Sequence, residues 1–489
     1  MTHTLSTRAL LVIALAVAGC SAGAPTLTPA PATVSFEPYL FKSGTGVEVP
    51  AELGTLRVPE QRSNPASRMI ALRFVRFRAT TPNPGPPIVY LAGGPGGSGI
   101  STAAGARFPV FQALREVADV IALDQRGTGR SNDIPPCVQT SAASAEISAT
   151  RDSIVAQFRR ELLACFDTWT AGGVAIDGYT TRENAADLDA LRTALGVEKI
   201  SLWGISYGSH LGLATLKYHG AKIHRAVFAG IEGLDQTVKR PAVFDSLIGR
   251  VQQLIDRDST ARQAYPDLAA IMRRVHTQLN AQPARVTIPA TGGRPATVLV
   301  FDAFPLQIMV GGMMADPSGA AQIPLLYQEL AAGRFERVTA LLCREFCSPG
   351  VTYRGMPEAM DIASGISAPR LALIRREAAT AILADAINFP MPHALGLRAS
   401  LDLGDDFRAP LRSAVPTLFI SGTLDGRTSP AEARDEMQQM RNVQQLIVEN
   451  GGHNIYEADK RVADAVVAFF RGADVPALIR LEPPKFRVR

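Results

Sequence analysis

Two patterns of hydrophobic and polar positions alternate along the chain. Short apolar runs typical of strands, among them "PPIVYL", "ADVIAL", "KISLW" and "IHRAVFA", are each followed by a turn and then by helical spacing. Before them, "GTLRVP" and "RMIALRFVRFRA" predict an opening pair of strands. Strands that alternate with helices predict an α/β fold with a mostly parallel, twisted sheet covered on both faces.

The segment "TTRENAADLDALRTALG" carries well-defined helix signals. Thr180 and Glu183 have the spacing of a capping box, three leucines share one face, and Gly196 ends the pattern. We therefore expect a helix that covers one face of the sheet.

The alternation stops after "AVFAG", near residue 230, and resumes at "PTLFISG", residues 416–422. A structureless loop of about 185 residues is implausible in a compact domain. The helical patterns in this stretch predict an inserted, mostly helical lid, residues 233–404, between two parts of the core, residues 38–232 and 405–475. A short tail, residues 476–489, follows.

The N-terminus has the pattern of an export signal. Arg8 precedes an apolar run, Ala9–Ala18, that is too short to span a bilayer permanently, so residues 1–19 predict a signal peptide. The ending "VAGC" resembles the lipobox of bacterial lipoproteins, which implies lipid on Cys20. Residues 20–37, rich in Ser, Ala and Pro, predict a flexible tether. The expected location is the bacterial cell envelope, facing the periplasm or on the outer membrane.

Composition narrows the possible partners. The formal net charge of the 489 residues is +5, but the basic residues are scattered, so we expect no nucleic-acid partner. No motif implies a cofactor. The expected partners are a peptide or small acyl substrate and, through Cys20, the membrane; the sequence leaves the oligomeric state open.

Four further cysteines suggest disulfides, because their number is even and export exposes them to oxidation. Three pairings are possible. Cys137–Cys165 with Cys343–Cys347 is favoured, since each pair lies in one local segment. A metal site at "CREFC" is not expected, because no histidine or second thiol pair accompanies it.

Three residues at predicted strand ends have the chemistry of a nucleophile, an acid and a base. Ser206 is the centre of "GISYG", which fits the nucleophile-elbow pattern G-x-S-x-G between a strand and a helix. Asp425 in "SGTLDGRTSP" and His453 in "VENGGHN" each follow a later strand. Parallel strands end at one edge of the sheet, so we expect a Ser-His-Asp site there, although each motif alone is also compatible with an ordinary turn.

An oxyanion formed at Ser206 needs two hydrogen-bond donors. The first expected donor is the backbone N–H of Tyr207, directly after the nucleophile. The second is Gly94 in the loop "AGGPGGSG", because Pro95 has no N–H.

The motifs "GGPGGSG", "DQRGTGRS", "GISYGS", "GTLDG" and "GGHN", in this order, resemble those of α/β-hydrolase peptidases of the prolyl aminopeptidase and tripeptidyl aminopeptidase type. The resemblance implies the α/β-hydrolase fold and a serine aminopeptidase that releases residues or short peptides from free N-termini. It places the nucleophile, acid and base on Ser206, Asp425 and His453. In "DQRG" it implies a mostly structural turn, held by a charged hydrogen bond of Asp124 and Arg126.

The substrate class is less constrained than the mechanism. A free amino terminus needs a carboxylate, and Glu232, just after a sheet strand, is the candidate. An esterase with the same triad is one alternative, with apolar lid segments such as "FPLQIMVGGMM" as its substrate pocket. A catalytically silent binding lipoprotein is another.

Overall fold

The computed structural model describes residues 32–140, 144–290, 296–348 and 350–488. The predicted signal peptide, Cys20 and most of the predicted tether lie outside these residues. In the described ranges no helix combines the length and the apolar character needed to cross a membrane.

Fifteen strands are formed by the described residues. They are β1 Thr33–Lys42, β2 Glu48–Pro59, β3 Met69–Phe77, β4 Gly85–Leu91, β5 Ala118–Leu123, β6 Cys137–Thr140, β7 Glu146–Ala149, β8 Ile200–Ile205, β9 Ile223–Ala229, β10 Ala284–Ile288, β11 Thr297–Phe301, β12 Gly350–Tyr353, β13 Thr417–Gly422, β14 Val443–Glu449 and β15 Leu478–Arg480. Ten of them form one sheet in the order β1-β2-β3-β5-β4-β8-β9-β13-β14-β15. The first three neighbouring pairs in this order, β1-β2, β2-β3 and β3-β5, are antiparallel. All pairs from β5-β4 to β14-β15 are parallel.

In the described residues, seven α-helices lie outside the stretch between β9 and β13: α1 Gly99–Ala104, α2 Phe108–Leu114, α3 Arg151–Ala171, α4 Thr181–Ala194, α5 Tyr207–His219, α16 Pro430–Met437 and α17 Lys460–Phe470. Ten more lie between β9 and β13: α6 Pro241–Arg257, α7 Ser259–Ala264, α8 Leu268–Ala281, α9 Ala303–Met313, α10 Pro317–Ala320, α11 Ile323–Ala331, α12 Glu336–Phe346, α13 Met356–Ser364, α14 Ala368–Ala378 and α15 Gly404–Arg408. We call residues 233–404 the insert.

Two hydrophobic cores lie on opposite faces of the large sheet. Side chains of α1, α2 and α17 pack on one face, and those of α3, α4 and α5 pack on the other. Strand β4 lies between β5 and β8 in the sheet. The helix after β4, α1, packs on one face, whereas the helix after β8, α5, packs on the opposite face, so the sheet has a topological switch point between these two strands. In parallel α/β sheets such a switch point opens a crevice at the carboxyl ends of the strands.

The insert has a hydrophobic core of its own, built mainly from α6, α8, α9 and α11. Two segments of the first core part join it: β7 pairs with β11 in parallel, and β6 pairs with β12 antiparallel. Helix α13 packs instead on the core of the sheet through Met356, Met360 and Ile362. The insert is thus bound to the sheet domain at several points.

Both disulfides form with the favoured pairing, Cys137–Cys165 and Cys343–Cys347. The first joins β6 to α3. The second closes one turn at the end of α12, where the sequence spacing alone brings the two cysteines together.

Two local expectations need correction. Thr180 accepts a hydrogen bond from the Glu183 amide at 3.3 Å, but the Glu183 carboxylate accepts from Arg62 instead of completing the capping box. Strand β1 begins at Thr33 and pairs with β2, so residues 33–37 of the expected tether belong to the sheet. Pro38 is compatible with the edge position of β1, where every second backbone N–H faces away from the sheet.

Candidate active site

Ser206 lies at the sharp turn between β8 and α5. Its backbone has φ 56° and ψ −127°, in a region that L-residues seldom occupy, so the turn is strained. The amide of Ser206 donates to the carbonyls of Ala229 and Gly230 at 3.0 and 3.1 Å. A side chain at Gly208 would place its Cβ 2.0 Å from the Leu91 carbonyl oxygen, which explains the glycine two residues after the serine.

The glycine loop after β4 lies beside this turn. A Cβ built on Gly93 would be 3.1 Å from Cβ of Ser206, so the backbone of the loop contacts the serine directly. Gly94 has φ 124°, a conformation that favours glycine. Within the described residues, the amides of Gly94 and Tyr207 donate to no protein acceptor. Two free N–H groups close to a serine could bind an oxyanion.

The "DQRG" motif holds this loop and the neighbouring helix in place. The Asp124 carboxylate accepts from the Ser98 hydroxyl at 2.6 Å and from the Ile100 amide at 3.0 Å. The Gln125 side chain donates to the Ala92 carbonyl at 2.9 Å. The Asp124 carboxylate also accepts from the Arg130 amide at 2.8 Å, which closes the expected turn by a charged hydrogen bond. The fully buried Arg126 instead binds Asp187 of α4 through two contacts of 2.7 Å and ties the turn to that helix.

Asp425 and His453 are brought together by the loops that follow β13 and β14. Nδ1 of His453 lies 2.9 Å from Oδ2 of Asp425. The other carboxylate oxygen accepts from the amides of Arg427 and Thr428 at 2.7 and 3.0 Å, and the Thr428 hydroxyl donates to Oδ2 at 2.6 Å. Burial alone would raise the pKa of Asp425, but His453 and the Thr428 donors outweigh it and hold this pKa below its usual value.

Gly230 connects the serine and histidine loops. Its carbonyl accepts from the Ser206 amide, and a Cβ on Gly230 would lie only 2.9 Å from Cε1 of His453. The side chain of Asp425 is 1% exposed and that of His453 is 14% exposed. The histidine therefore presents its ring to the crevice while its carboxylate partner is sealed behind it.

Glu232 lies just beyond this point, but its charge already has a partner. The ammonium of Lys239 is 2.5 Å from its carboxylate and also donates to the Gln236 carbonyl at 2.9 Å. Both members of the pair are buried. A substrate ammonium at Glu232 would thus compete with Lys239.

Helix α13 of the insert brings further carboxylates to the same place. A Cβ on Gly96 would lie 2.6 Å from Cγ of Pro357, so the start of α13 contacts the glycine loop. Asp361, half-buried on this helix, receives no hydrogen bond on its carboxylate from the described part of the chain. Burial and the nearby charge of Glu232 raise the pKa of Asp361 to about 7, although Lys239 and Arg427 act in the opposite direction.

Sequence reasoning did not identify Thr428, Gly230 or Asp361. Thr428, three residues after Asp425, is a local signal for a capped carboxylate that could have been noticed. Asp361 carries no such signal. It lies in the middle of an amphipathic insert helix, and only the packing of α13 against the glycine loop brings it to the site.

Three relatives of known name are similar to part of this chain. Serine protease Hip1 of Mycobacterium tuberculosis is 29% identical over 38% of this chain and 38% of its own length. Tripeptidyl aminopeptidase of Streptomyces lividans is 30% identical over 33% of this chain and 32% of its own. A probable proline iminopeptidase of Streptomyces coelicolor is 31% identical over 31% of this chain and 35% of its own.

Each match therefore spans less than two fifths of the relative's length. The resemblance to prolyl and tripeptidyl aminopeptidases that the motifs indicated is nevertheless confirmed by relatives with those names. Residues 86–459 match the alpha/beta hydrolase fold family, a range that includes the sheet from β4 to β14 and the whole insert. The chain thus belongs to the alpha/beta hydrolase fold family.

Proposed function

We propose that this protein is an exported serine aminopeptidase that releases residues or short peptides from free amino termini. Ser206 is the nucleophile, His453 the general base and Asp425 the acid that orients the imidazole. The observation that carries the proposal is the 2.9 Å contact between His453 and the sealed Asp425, next to a strained serine at the end of β8.

The proposed reaction has two steps. His453 accepts the proton of Ser206 while the serine oxygen attacks the scissile carbonyl, and the amides of Gly94 and Tyr207 bind the oxyanion. His453 then gives the proton to the departing amine, which leaves an acyl-enzyme. A water molecule, deprotonated by His453, attacks the ester and releases Ser206.

Recognition of the free amine is assigned to the carboxylates around α13. Asp361 is the strongest candidate, because its half-buried carboxylate has no ion pair of its own among the described residues. Glu232 contributes less, since Lys239 already neutralises it. A positive amino terminus bound here would replace the missing cation.

An esterase function has less support in the packing. The run "FPLQIMVGGMM" that could line an acyl pocket forms α9, whose side chains are mostly buried in the core of the insert. The N-terminal leader pattern and the two disulfides support export.

The test compares a tripeptide anilide that has a free amine with its N-acetyl twin and with a short nitrophenyl ester. We expect rapid cleavage of the free-amine peptide, little cleavage of its N-acetyl twin and measurable but slower turnover of the ester, and no turnover of any substrate by Ser206→Ala. Asp361→Asn should raise KM for the free-amine peptide by about tenfold or more and leave ester hydrolysis unchanged. Asp464→Asn, on an exposed part of α17, is the matched control. Equal cleavage of both peptides would exclude an aminopeptidase.

A further inference from the structure

A tripeptide of the insert, Met314–Ala315–Asp316, contacts both loops that carry the proposed acid and base. It joins α9 to α10. The Met314 carbonyl accepts from the amide of Gly426, next to Asp425, at 3.0 Å. The Ala315 carbonyl accepts from the amide of His453 itself at 2.7 Å. One short segment of the insert thus accepts hydrogen bonds from the backbone of His453 and from the residue that follows Asp425.

The carboxylate of Asp316 is directed towards the histidine loop. Asp316 precedes the first residue of α10, where an aspartate normally caps the amides of its own helix, but its side chain makes no such bond. Instead Oδ1 accepts from the backbone amide of Asn454 at 3.2 Å, and Oδ2 accepts from the side-chain amide of Asn454 at 2.9 Å. Two contacts therefore fix the residue that follows His453.

Asn454 is held from the opposite side by the sheet domain. Its side-chain oxygen accepts from Arg107 at 3.2 Å, and the buried Arg107 forms an ion pair of 2.7 Å with Glu457. The side-chain amide of Asn454 thus donates to Asp316 of the insert and accepts from Arg107 of the core. This bracketing limits how far the histidine loop can move.

Both loops have a glycine where the tripeptide lies. A Cβ on Gly426 would be 2.5 Å from the Met314 carbonyl oxygen, and a Cβ on Gly452 would be 2.5 Å from Oδ1 of Asp316. Neither site has room for a side chain. The close contact thus depends on the glycines of "LDG" and "GGHN".

We propose that Met314–Ala315–Asp316 is a positioning segment for the acid and base, and that Asp316 is a positioning residue that sets the location of His453 through Asn454. This inference rests on the proposed function of Ser206, Asp425 and His453. The insert then takes part in holding the base, because its displacement would shift the histidine.

The test uses the rate at which a fluorophosphonate reacts with Ser206, which needs the serine and its base but no peptide recognition. In Asp316→Ala we expect this rate and kcat to fall about tenfold, with KM for the peptide little changed, because a misplaced base slows only the chemical step. Asp302→Ala is the matched control. Like Asp316, Asp302 is an insert aspartate that accepts two N–H groups, here the backbone amides of Phe304 in the insert and Arg151 in α3, but it contacts neither catalytic loop. It should lower the unfolding temperature and leave the rate unchanged.

A rescue experiment separates positioning from general stability. Asp316→Asn places two amide donors opposite each other and should slow phosphonylation. In the double variant Asp316→Asn/Asn454→Asp, donor and acceptor exchange sides and the new carboxylate faces Arg107, so most of the rate should return.

Wild-type phosphonylation and kcat in Asp316→Ala would overturn the inference, as would equal losses in Asp302→Ala and Asp316→Ala. If the double variant recovers nothing, the role of Asn454 is wrong. Failure of the proposed function looks different: Ser206→Ala would then react with the probe as fast as the wild-type protein does.

Discussion

The proposed nucleophile and the proposed base are held in place by different parts of the molecule. Around Ser206 the contacts come from neighbouring sheet strands and their loops, such as the Leu91 carbonyl against Gly208 and the Ala229 carbonyl that binds the Ser206 amide. Around His453 a main support is the insert, through Ala315 and Asp316.

This difference has a physical consequence. The serine turn is stabilised by the core of the sheet, where any displacement would break strand packing, so its geometry should tolerate changes in the insert. The histidine loop is half-exposed and leans on a segment that belongs to another hydrophobic core. Damage to the serine side should therefore unfold the protein, whereas damage to the histidine side should impair catalysis first.

The largest effect is expected from Gly208→Ala. Its new Cβ would lie 2.0 Å from the Leu91 carbonyl oxygen, a backbone atom that cannot move without shifting β4. We expect a loss of about 3 kcal/mol in the free energy of unfolding, measured by denaturant titration, together with loss of phosphonylation.

The control for this variant is Gly249→Ala on the exposed face of α6, where nothing lies within 4 Å of the new methyl group. It should be neutral or stabilise the protein by up to about 1 kcal/mol. If Gly208→Ala is as stable as Gly249→Ala, the serine turn is not held by the sheet and the comparison fails.

A smaller effect on stability but a clear one on activity is expected from Gly452→Ala. The added methyl group would be 2.5 Å from Oδ1 of Asp316 and 2.6 Å from Cδ of Pro317, and it would push the insert away from the histidine loop. We expect phosphonylation to slow about tenfold while the free energy of unfolding falls by only about 1 kcal/mol.

The two glycine variants together sharpen the comparison. A loss of stability in Gly452→Ala as large as in Gly208→Ala, with unchanged phosphonylation of the folded fraction, would mean that the insert supports the fold and not the base. Both rates are measured on protein shown to be folded by circular dichroism.

The same difference explains what the sequence alone could predict. The serine turn, the alternation of strands and helices around it and both disulfides depend on residues close together in the chain, so local patterns identify them. The contact between Asp316 and Asn454 spans 138 residues and depends on how the insert docks. No periodicity or motif encodes such a distance.

Other surprises have the same origin. The Glu183 carboxylate accepts from Arg62, 121 residues away, instead of from the N-terminal amide of its own helix as the capping-box pattern predicts. The sequence pattern does not predict strands β6 and β7, because each has only four residues and their partners β12 and β11 lie in the insert. Short strands of this kind are defined by tertiary pairing, which overrides weak propensity.

The smallest expected effect is on how the free energy of unfolding depends on pH, through two carboxyl groups at the contact between the sheet domain and the insert, which we call the seam. Asp361 on α13 and Glu436 on α16 both have a pKa raised to about 7, chiefly by burial. A carboxyl group whose pKa is higher in the folded than in the unfolded state binds its proton more tightly when folded. The free energy of unfolding therefore falls as pH rises from about 4 to about 7, and this contribution is constant above that range.

Asp361→Asn removes one such group without changing its shape. The variant should gain about 1 kcal/mol over the wild-type protein at pH 8, a figure reduced for solvent screening of a half-exposed group. The gain should shrink as pH falls from about 7 towards 4, because Asp361 takes up its proton near pH 7 in the folded wild-type protein and only near pH 4 in the unfolded one. Unfolding temperatures that run parallel for the two proteins from pH 4 to pH 8 would show that the carboxylate is already ionised and compensated. The carboxylates at the seam would then cost no stability, and the contrast between the serine turn and the histidine loop would be confined to the contact of Asp316 with Asn454.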